Sequence, residues 1–206
     1  MKRIVINGSQ SVKRTFLAKA FAAMTGMDYI GCSPYSVIAY QYKLPFDLPN
    51  CQWPDSFVYC LGAFTQKIML EQKFEEKFIS DGGVFNELSW IKCRFPHIEL
   101  IYERAIIESF EKVAMHYASN EYDYILHIDS KDPSDTINLF LKRLYDCYSI
   151  KHILIDKVSD EETLIRMLEH LQVKQVQSAK YALLKFADEF EINDDTHKGP
   201  NDSNAY

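Results

Sequence analysis

Residues 8–15, Gly8-Ser9-Gln10-Ser11-Val12-Lys13-Arg14-Thr15, follow a short apolar run and lead into a helical pattern. Glycine, four residues, glycine, lysine and a hydroxyl residue form the signature of a phosphate-binding loop. Between a strand and a helix, such a loop turns backbone N–H groups toward phosphate oxygens at the positive end of the helix. Thr15 supplies the hydroxyl expected to contact Mg²⁺. Two defining positions depart from the pattern. Lys13 stands where the second glycine belongs, so a side chain crowds a place that favours unusual dihedrals. Arg14 stands where the lysine belongs; it keeps the charge but as a planar fork rather than a compact ammonium. Lys13 is an alternative clamp. Gly8 and Ser9 would also serve as an ordinary strand-to-helix turn.

Other reactive side chains are dispersed. The six histidines (97, 116, 127, 152, 170 and 197) show no metal-ligand spacing, and His127 and His152 read as satisfied core residues. The cysteines at 32, 51, 60, 93 and 147 contain no CxxC pair, which argues for reduced, mostly buried thiols and a cytoplasmic setting. Asp81 closes an apolar run before Gly82-Gly83, either as a functional carboxylate or as a turn residue. Gln66 lies in a helical stretch, where it either meets a substrate base or is an exposed glutamine. Tyr35, Trp53 and Trp90 could stack on a base but read more readily as core.

The elements that position these residues alternate. Buried strands are expected at 3–7, 27–31, 77–80 with Asp81 at the end, 124–128 and 152–155. Helices are expected over 15–24, 55–73, 84–94, 98–118 and from Asp132 to Cys147. Asp132 is the expected cap of the last of these, with Pro133 in its first turn. Ser159-x-x-Glu162 opens another helix with a capping box. Residues 180–186 read as an edge strand or a last helical turn, and 43–55, with three prolines, as a loop. Five strand–helix alternations call for a parallel sheet with helices on both faces and ligands at the strands' carboxyl ends.

The chain has 206 residues, 47% hydrophobic and 25% charged, with 23 basic and 29 acidic side chains. That is one globular domain, placed at 1–186, followed by a disordered acidic tail at 187–206. A net charge of −6 argues against a general nucleic-acid binder. Ile4-Val5-Ile6 is too short for a signal-peptide core, and no apolar run approaches membrane-spanning length.

The order of elements resembles the P-loop kinases of nucleosides and nucleotides, more narrowly the AAA-domain-like group that includes ribosylnicotinamide kinase domains. The likeness rests on the loop Gly8–Thr15, on Gln66 ahead of the strand ending at Asp81, on Tyr122-Asp123 opening the fourth strand, and on Ser159–Glu162 opening the last helix. It spans roughly residues 1–172. It implies a three-layer α/β P-loop fold with a five-stranded parallel sheet in the order 2-3-1-4-5. It also implies ATP and Mg²⁺ at residues 8–15, Arg14 or Lys13 as phosphate clamp, and Thr15 as metal contact. Asp81 would be the general base or a metal holder, and Gln66 a substrate contact. The chain departs from the family at Gly82, where an arginine often follows the aspartate. It lacks an acidic residue after the second strand and has a shortened lid at 129–133. Lys131, Lys142 and Arg143 are the nearest substitutes for the lid's arginines, the last two more readily read as a solvated helix face.

Two functions of different class follow. One is an ATP-dependent kinase acting on a nucleoside, nucleotide or similar small molecule. The other is a weak or inactive pseudokinase that works through a protein partner, with a homodimer as a further expectation. An oligomeric ATPase is disfavoured, because neither an arginine finger nor a second acidic residue after the third strand is recognisable.

Overall fold

In the computed structural model, residues 2–31, 55–74, 77–94 and 100–196 are described. The expectations for Tyr35, Trp53 and, apart from Asp55, the proline-rich loop at 43–55 lie outside them. Five parallel strands form the sheet: β1 (Lys2–Asn7), β2 (Asp28–Ile30), β3 (Lys77–Asp81), β4 (Tyr124–Asp129) and β5 (Ile153–Asp156). Their spatial order is β2-β3-β1-β4-β5. Ile6 pairs with Asp81 on one side and Leu126 on the other, which brings the carboxyl ends of the three central strands level.

Among the described residues the helices are α1 (Arg14–Thr25), α2 (Asp55–Glu71), α3 (Phe85–Arg94), α4 (Ile101–Glu121), α5 (Thr136–Cys147), α6 (Asp160–Leu171) and α7 (Ala179–Thr196). They form the outer layers because the three central strands are apolar on both faces. Side chains alternate across a strand. Val5, Phe78 and Ile125 therefore join a core with Phe64, Leu88, Phe110 and Leu141. Ile4, Ile6, Ile79, Leu126 and Ile155 face the opposite way, toward Phe21, Leu164, Met167 and Ala182. The first layer is built from α2 to α5, the second from α1, α6 and α7.

Several boundaries shift by a few residues from expectation, α4 for one running Ile101–Glu121 rather than 98–118, and two differences have a visible local cause. Helix α5 begins at Thr136, because Asp135 rather than Asp132 is its cap and accepts from the Asn138 N–H at 3.0 Å. Asp132 is taken up one turn earlier. Its carboxylate accepts from the Ser134 N–H at 2.8 Å, and its carbonyl accepts from the Asp135 N–H at 3.2 Å. Asp-Pro-Ser-Asp is thus a β-turn with Pro at its second position, a placement that proline favours. The apolar stretch at 180–186 is helical: Ala179 and Ala182 pack beside α1, and α7 continues to Thr196. Ser159 caps α6 as its sequence implies, accepting from the Glu162 N–H at 3.2 Å.

Candidate functional site

The loop after β1 is shaped by two backbone requirements. Gly8 has φ +139°, and a Cβ there would lie 2.8 Å from the Ile128 carbonyl oxygen of β4. Only glycine fits so close a crossing. Lys13, at the cap of α1, is in the left-handed region with φ 55° and ψ 40°. A lysine therefore adopts the conformation a glycine would take more cheaply, at a cost of about 1–2 kcal/mol. Gln10–Val12 form a single 3₁₀ turn, and Val12 is buried in the core beneath it.

The side chains that follow turn inward onto Asp81 at the end of β3. Arg14 Nε donates to Asp81 Oδ1 at 2.5 Å, and Arg14 Nη1 donates to the Gly8 carbonyl at 3.1 Å. Thr15 Oγ1 donates to Asp81 Oδ2 at 2.7 Å, and the Tyr29 hydroxyl reaches the same oxygen at 3.3 Å. Burial would push the Asp81 carboxyl up, but the charges of Arg14 and Lys67 and the Thr15 hydroxyl outweigh it and hold it below its ordinary range. Asp81 is thus an ionised, heavily solicited acceptor.

The outer part of the loop meets β4 and α5. Ser9 and Ser11 hydroxyls lie 2.6 Å apart, and Ser11 Oγ donates to Asp135 Oδ2 at 3.0 Å. Beneath them runs a buried chain whose direction is fixed by its amides. The Gly8 N–H donates to Asn7 Oδ1 at 2.9 Å, and Asn7 Nδ2 donates to the Tyr145 hydroxyl at 2.7 Å. The Tyr145 hydroxyl meets His127 Nδ1 at 3.4 Å, and His127 Nε2 meets Asn138 Oδ1 at 2.7 Å. Asn138 Nδ2 donates to Asp129 Oδ1 at 2.9 Å. Since Asn138 offers its oxygen to His127, the imidazole carries its proton on Nε2 and accepts from Tyr145 on Nδ1. Burial keeps it neutral, with its pKa pushed down to about 4.

Three further side chains belong to the site without having been singled out in the sequence. Lys67 of α2 is fully buried. Its ammonium donates to the carbonyls of Gly31 at 2.6 Å, Asp81 at 3.2 Å and Ile30 at 3.4 Å, tying the ends of β2 and β3. Glu87, in the first turn of α3, is also buried, and its Oε2 has no hydrogen-bond partner among the described residues. Burial raises its pKa, opposed by the charges of Lys67 and Arg14. Glu71 accepts from Ser80 Oγ at 2.5 Å, Tyr122 OH at 2.9 Å and Tyr117 OH at 3.1 Å, beside the turn that follows Asp81. The signal for Lys67 and Glu71 is their register. They continue the buried stripe of Cys60, Ala63 and Phe64, where a solvated charge has no place.

The structure thus brings together Gly8, Ser9, Ser11, Arg14, Thr15 and Asp81. Gln66 sits one residue before Lys67 on α2, half-buried, with a buried Oε1 that has no partner among the described residues. Lys142 pairs with Asp129 at 2.6 Å rather than facing the loop. No cluster of three acidic, His or Cys side chains suited to a metal occurs among the described residues. Thr15 and Asp81 nevertheless offer two adjacent hard oxygens, the partial donor set that Mg²⁺ uses when phosphates and water complete its shell. No described helix is long and apolar enough to cross a membrane.

Parallel strands in the order 2-3-1-4-5, with a glycine-led loop entering α1 and an aspartate at the end of the neighbouring strand, define the P-loop nucleoside and nucleotide kinase-like fold. Solved structures carry the same architecture. The chain is similar to deoxyadenosine kinase from M. mycoides, solved with bound dATP, at TM-score 0.60 and 14% identity over 84% of this chain and 100% of that one. It is also similar to the YorR protein from Bacillus subtilis, solved in complex with phosphorylated GDP, at TM-score 0.50 and 12% identity over 82% and 95% of the two chains. No family model and no curated protein matches the sequence.

Proposed function

We propose that this protein binds a nucleoside triphosphate, ATP in the first instance, at residues 8–15 and transfers a phosphoryl group to a nucleoside, nucleotide or similar small molecule. The observation that carries the reading is the 2.7 Å contact between Thr15 Oγ1 and Asp81 Oδ2 at the head of a buried helix. It joins the loop hydroxyl to a strand-end carboxylate where triphosphate and Mg²⁺ would meet. The similarity to two kinase-fold structures solved with nucleotides supports the same assignment.

In this reading Thr15 and Asp81 would hold Mg²⁺, whose charge would neutralise the phosphates during transfer. The lowered pKa of Asp81 suits it to metal holding better than to proton abstraction, since a general base works best with a pKa near the operating pH. The N–H groups at the start of α1, with Gly8, Ser9, Gln10, Ser11 and Val12 forming the loop, would surround the phosphates. Lys13 and Arg14 would supply the cations. Gln66 and Glu87, each with an oxygen that no described residue satisfies, would receive donors of the acceptor molecule.

The second reading is a protein that keeps this fold, turns over little or no ATP, and contacts a partner chain. The buried Arg14–Asp81 ion pair favours it, because Arg14 is already committed to a carboxylate. Calorimetric titration with Mg-ATP separates the two. Micromolar binding that both Thr15→Ala and Arg14→Ala weaken supports the kinase reading. Absence of heat at millimolar ATP overturns it.

A further inference from the structure

The side chain at position 14 is not poised over an open loop. It is 6% exposed, with Nε on Asp81 Oδ1 at 2.5 Å and Nη1 on the Gly8 carbonyl at 3.1 Å. Its seat depends on position 82. A Cβ built on Gly82 would fall 3.2 Å from Arg14 Cζ and 3.3 Å from Nη1, so any side chain there would press on the guanidinium. Thr15 and Tyr29 also reach the same carboxylate, at 2.7 and 3.3 Å from Oδ2. Two loop residues and one from β2 are therefore gathered by a single internal anion.

We propose that Asp81 is the resident anion of the phosphate site: it holds Arg14 inward in the nucleotide-free protein, and a bound triphosphate takes the guanidinium over from it. The inference rests on the nucleotide-binding reading above. A guanidinium presents the same planar fork to a carboxylate as to a phosphate, so the two anions compete for one set of donors. Lys13 is exposed at the head of α1 and gives the incoming phosphates a second cation that Asp81 does not engage in the described contacts. Exchange leaves Asp81 relieved of its strongest partner and open to a metal ion. Phosphate occupancy and the availability of Asp81 are then one equilibrium. The apparent affinity for nucleotide is reduced by the fraction of molecules in which Arg14 is held inward.

The test uses the whole chain and two readouts. The first is the Nε–H resonance of Arg14 in protein carrying ¹⁵N-arginine, assigned with Arg14→Lys. A slowly exchanging signal in the free protein should shift on saturation with ATP, and lose its protection. The second is titration with ATP in EDTA, so that metal plays no part. Asp81→Asn removes the competing charge and should tighten ATP roughly tenfold, a change of one decade per ~1.4 kcal/mol of competition relieved. Arg14→Gln should weaken it by a similar factor. ATP that binds the wild-type protein and leaves the Arg14 resonance unmoved overturns this proposal alone, as does Asp81→Asn binding no tighter than wild type. ATP that binds none of the three proteins, with or without Mg²⁺, overturns the nucleotide-binding reading and this proposal together. If Asp81→Asn does not fold, the wild-type resonance decides.

Discussion

Replacing Lys67 by methionine isolates the buried ammonium at the centre of the site. Methionine is unbranched and fills irregular space, so the substitution removes charge with little cavity. The lost interactions are the bonds to Gly31, Asp81 and Ile30 carbonyls at 2.6, 3.2 and 3.4 Å, and the attraction to Asp81 and Glu87. Leaving a buried acceptor without its donor costs about 1–3 kcal/mol. Removing one partner from a buried charge set costs about 3–5 kcal/mol. These overlap, because the same ammonium serves both, and the expected loss is about 3–5 kcal/mol. Against the ~5–15 kcal/mol of an ordinary domain that is a large share. Urea unfolding followed by circular dichroism at pH 7 should show the midpoint falling by about 2 M, for a slope of roughly 2 kcal/mol per molar. The penalty should shrink in acid, as Asp81 and Glu87 neutralise and no longer need the cation. A midpoint within about 0.5 M of wild type would refute the reasoning and show that Lys67 escapes to solvent or is replaced by water.

Three further outcomes follow from single features. Gly8→Ala forces a side chain onto the Ile128 carbonyl at 2.8 Å with φ at +139°, and should cost about 2 kcal/mol or roughly 4–8 °C in a thermal melt; an unchanged melt would show that the loop crosses β4 less closely. His127 should remain neutral down to about pH 4 in an NMR titration. An unfolded histidine takes its proton near 6.5. Between those values the unfolded state binds a proton that the folded state refuses, so stability falls as pH drops through this window, by up to ~1.4 kcal/mol per unit. His127→Gln should flatten that slope, and a His127 titrating at 6.5 would sink the account. Tyr122→Phe removes the donor to Glu71 at 2.9 Å and the acceptor of the buried Val84 N–H at 3.1 Å, for an expected loss of about 1–3 kcal/mol by urea midpoint. A neutral result would mean that water reaches the Asp81–Val84 turn.

The architecture was legible because buried parallel strands are short, apolar on both faces and followed by glycine or aspartate. Ile4-Val5-Ile6 before Gly8 and Phe78-Ile79 before Asp81 satisfy that pattern, and the sheet order follows once the resemblance is drawn. Local hydrogen-bond competition was harder to read. Asp132 is the expected cap, but a β-turn consumes it and Asp135 takes the role. The stretch at 180–186 is apolar in both helical and strand registers, and its packing beside α1 settles the matter. Within the site, a motif search finds residues 8–15 but passes over Lys67, Glu71 and Glu87, because charged residues are ordinarily assigned to solvent. Their positions on buried helical stripes carried the information, which a count of polar residues at core registers would have recovered. Asn7 and Tyr145, which hold the Gly8 N–H side of the loop, are separated by most of the chain and have no local signature.

The charges in this site bear directly on the choice between its two readings. Among the described residues, the buried cations Arg14 and Lys67 face three buried carboxyl groups, Asp81, Glu87 and Glu71, before any ligand arrives. Asp135 adds a carboxylate beside the outer loop through Ser11. A triphosphate therefore enters a site whose buried cations are already engaged, and until it takes Arg14 over from Asp81 its charge has to be met by Lys13, by the N–H groups at the head of α1 and by Mg²⁺. Each of these is available only if the loop keeps its present form, which is why Lys13 in a left-handed conformation matters more than its departure from glycine suggests. A lysine at that dihedral puts an exposed ammonium on the first turn of the helix, where a glycine would put none. The substitution that most weakens the sequence motif thus offers incoming phosphates an exposed cation before Arg14 is exchanged from Asp81.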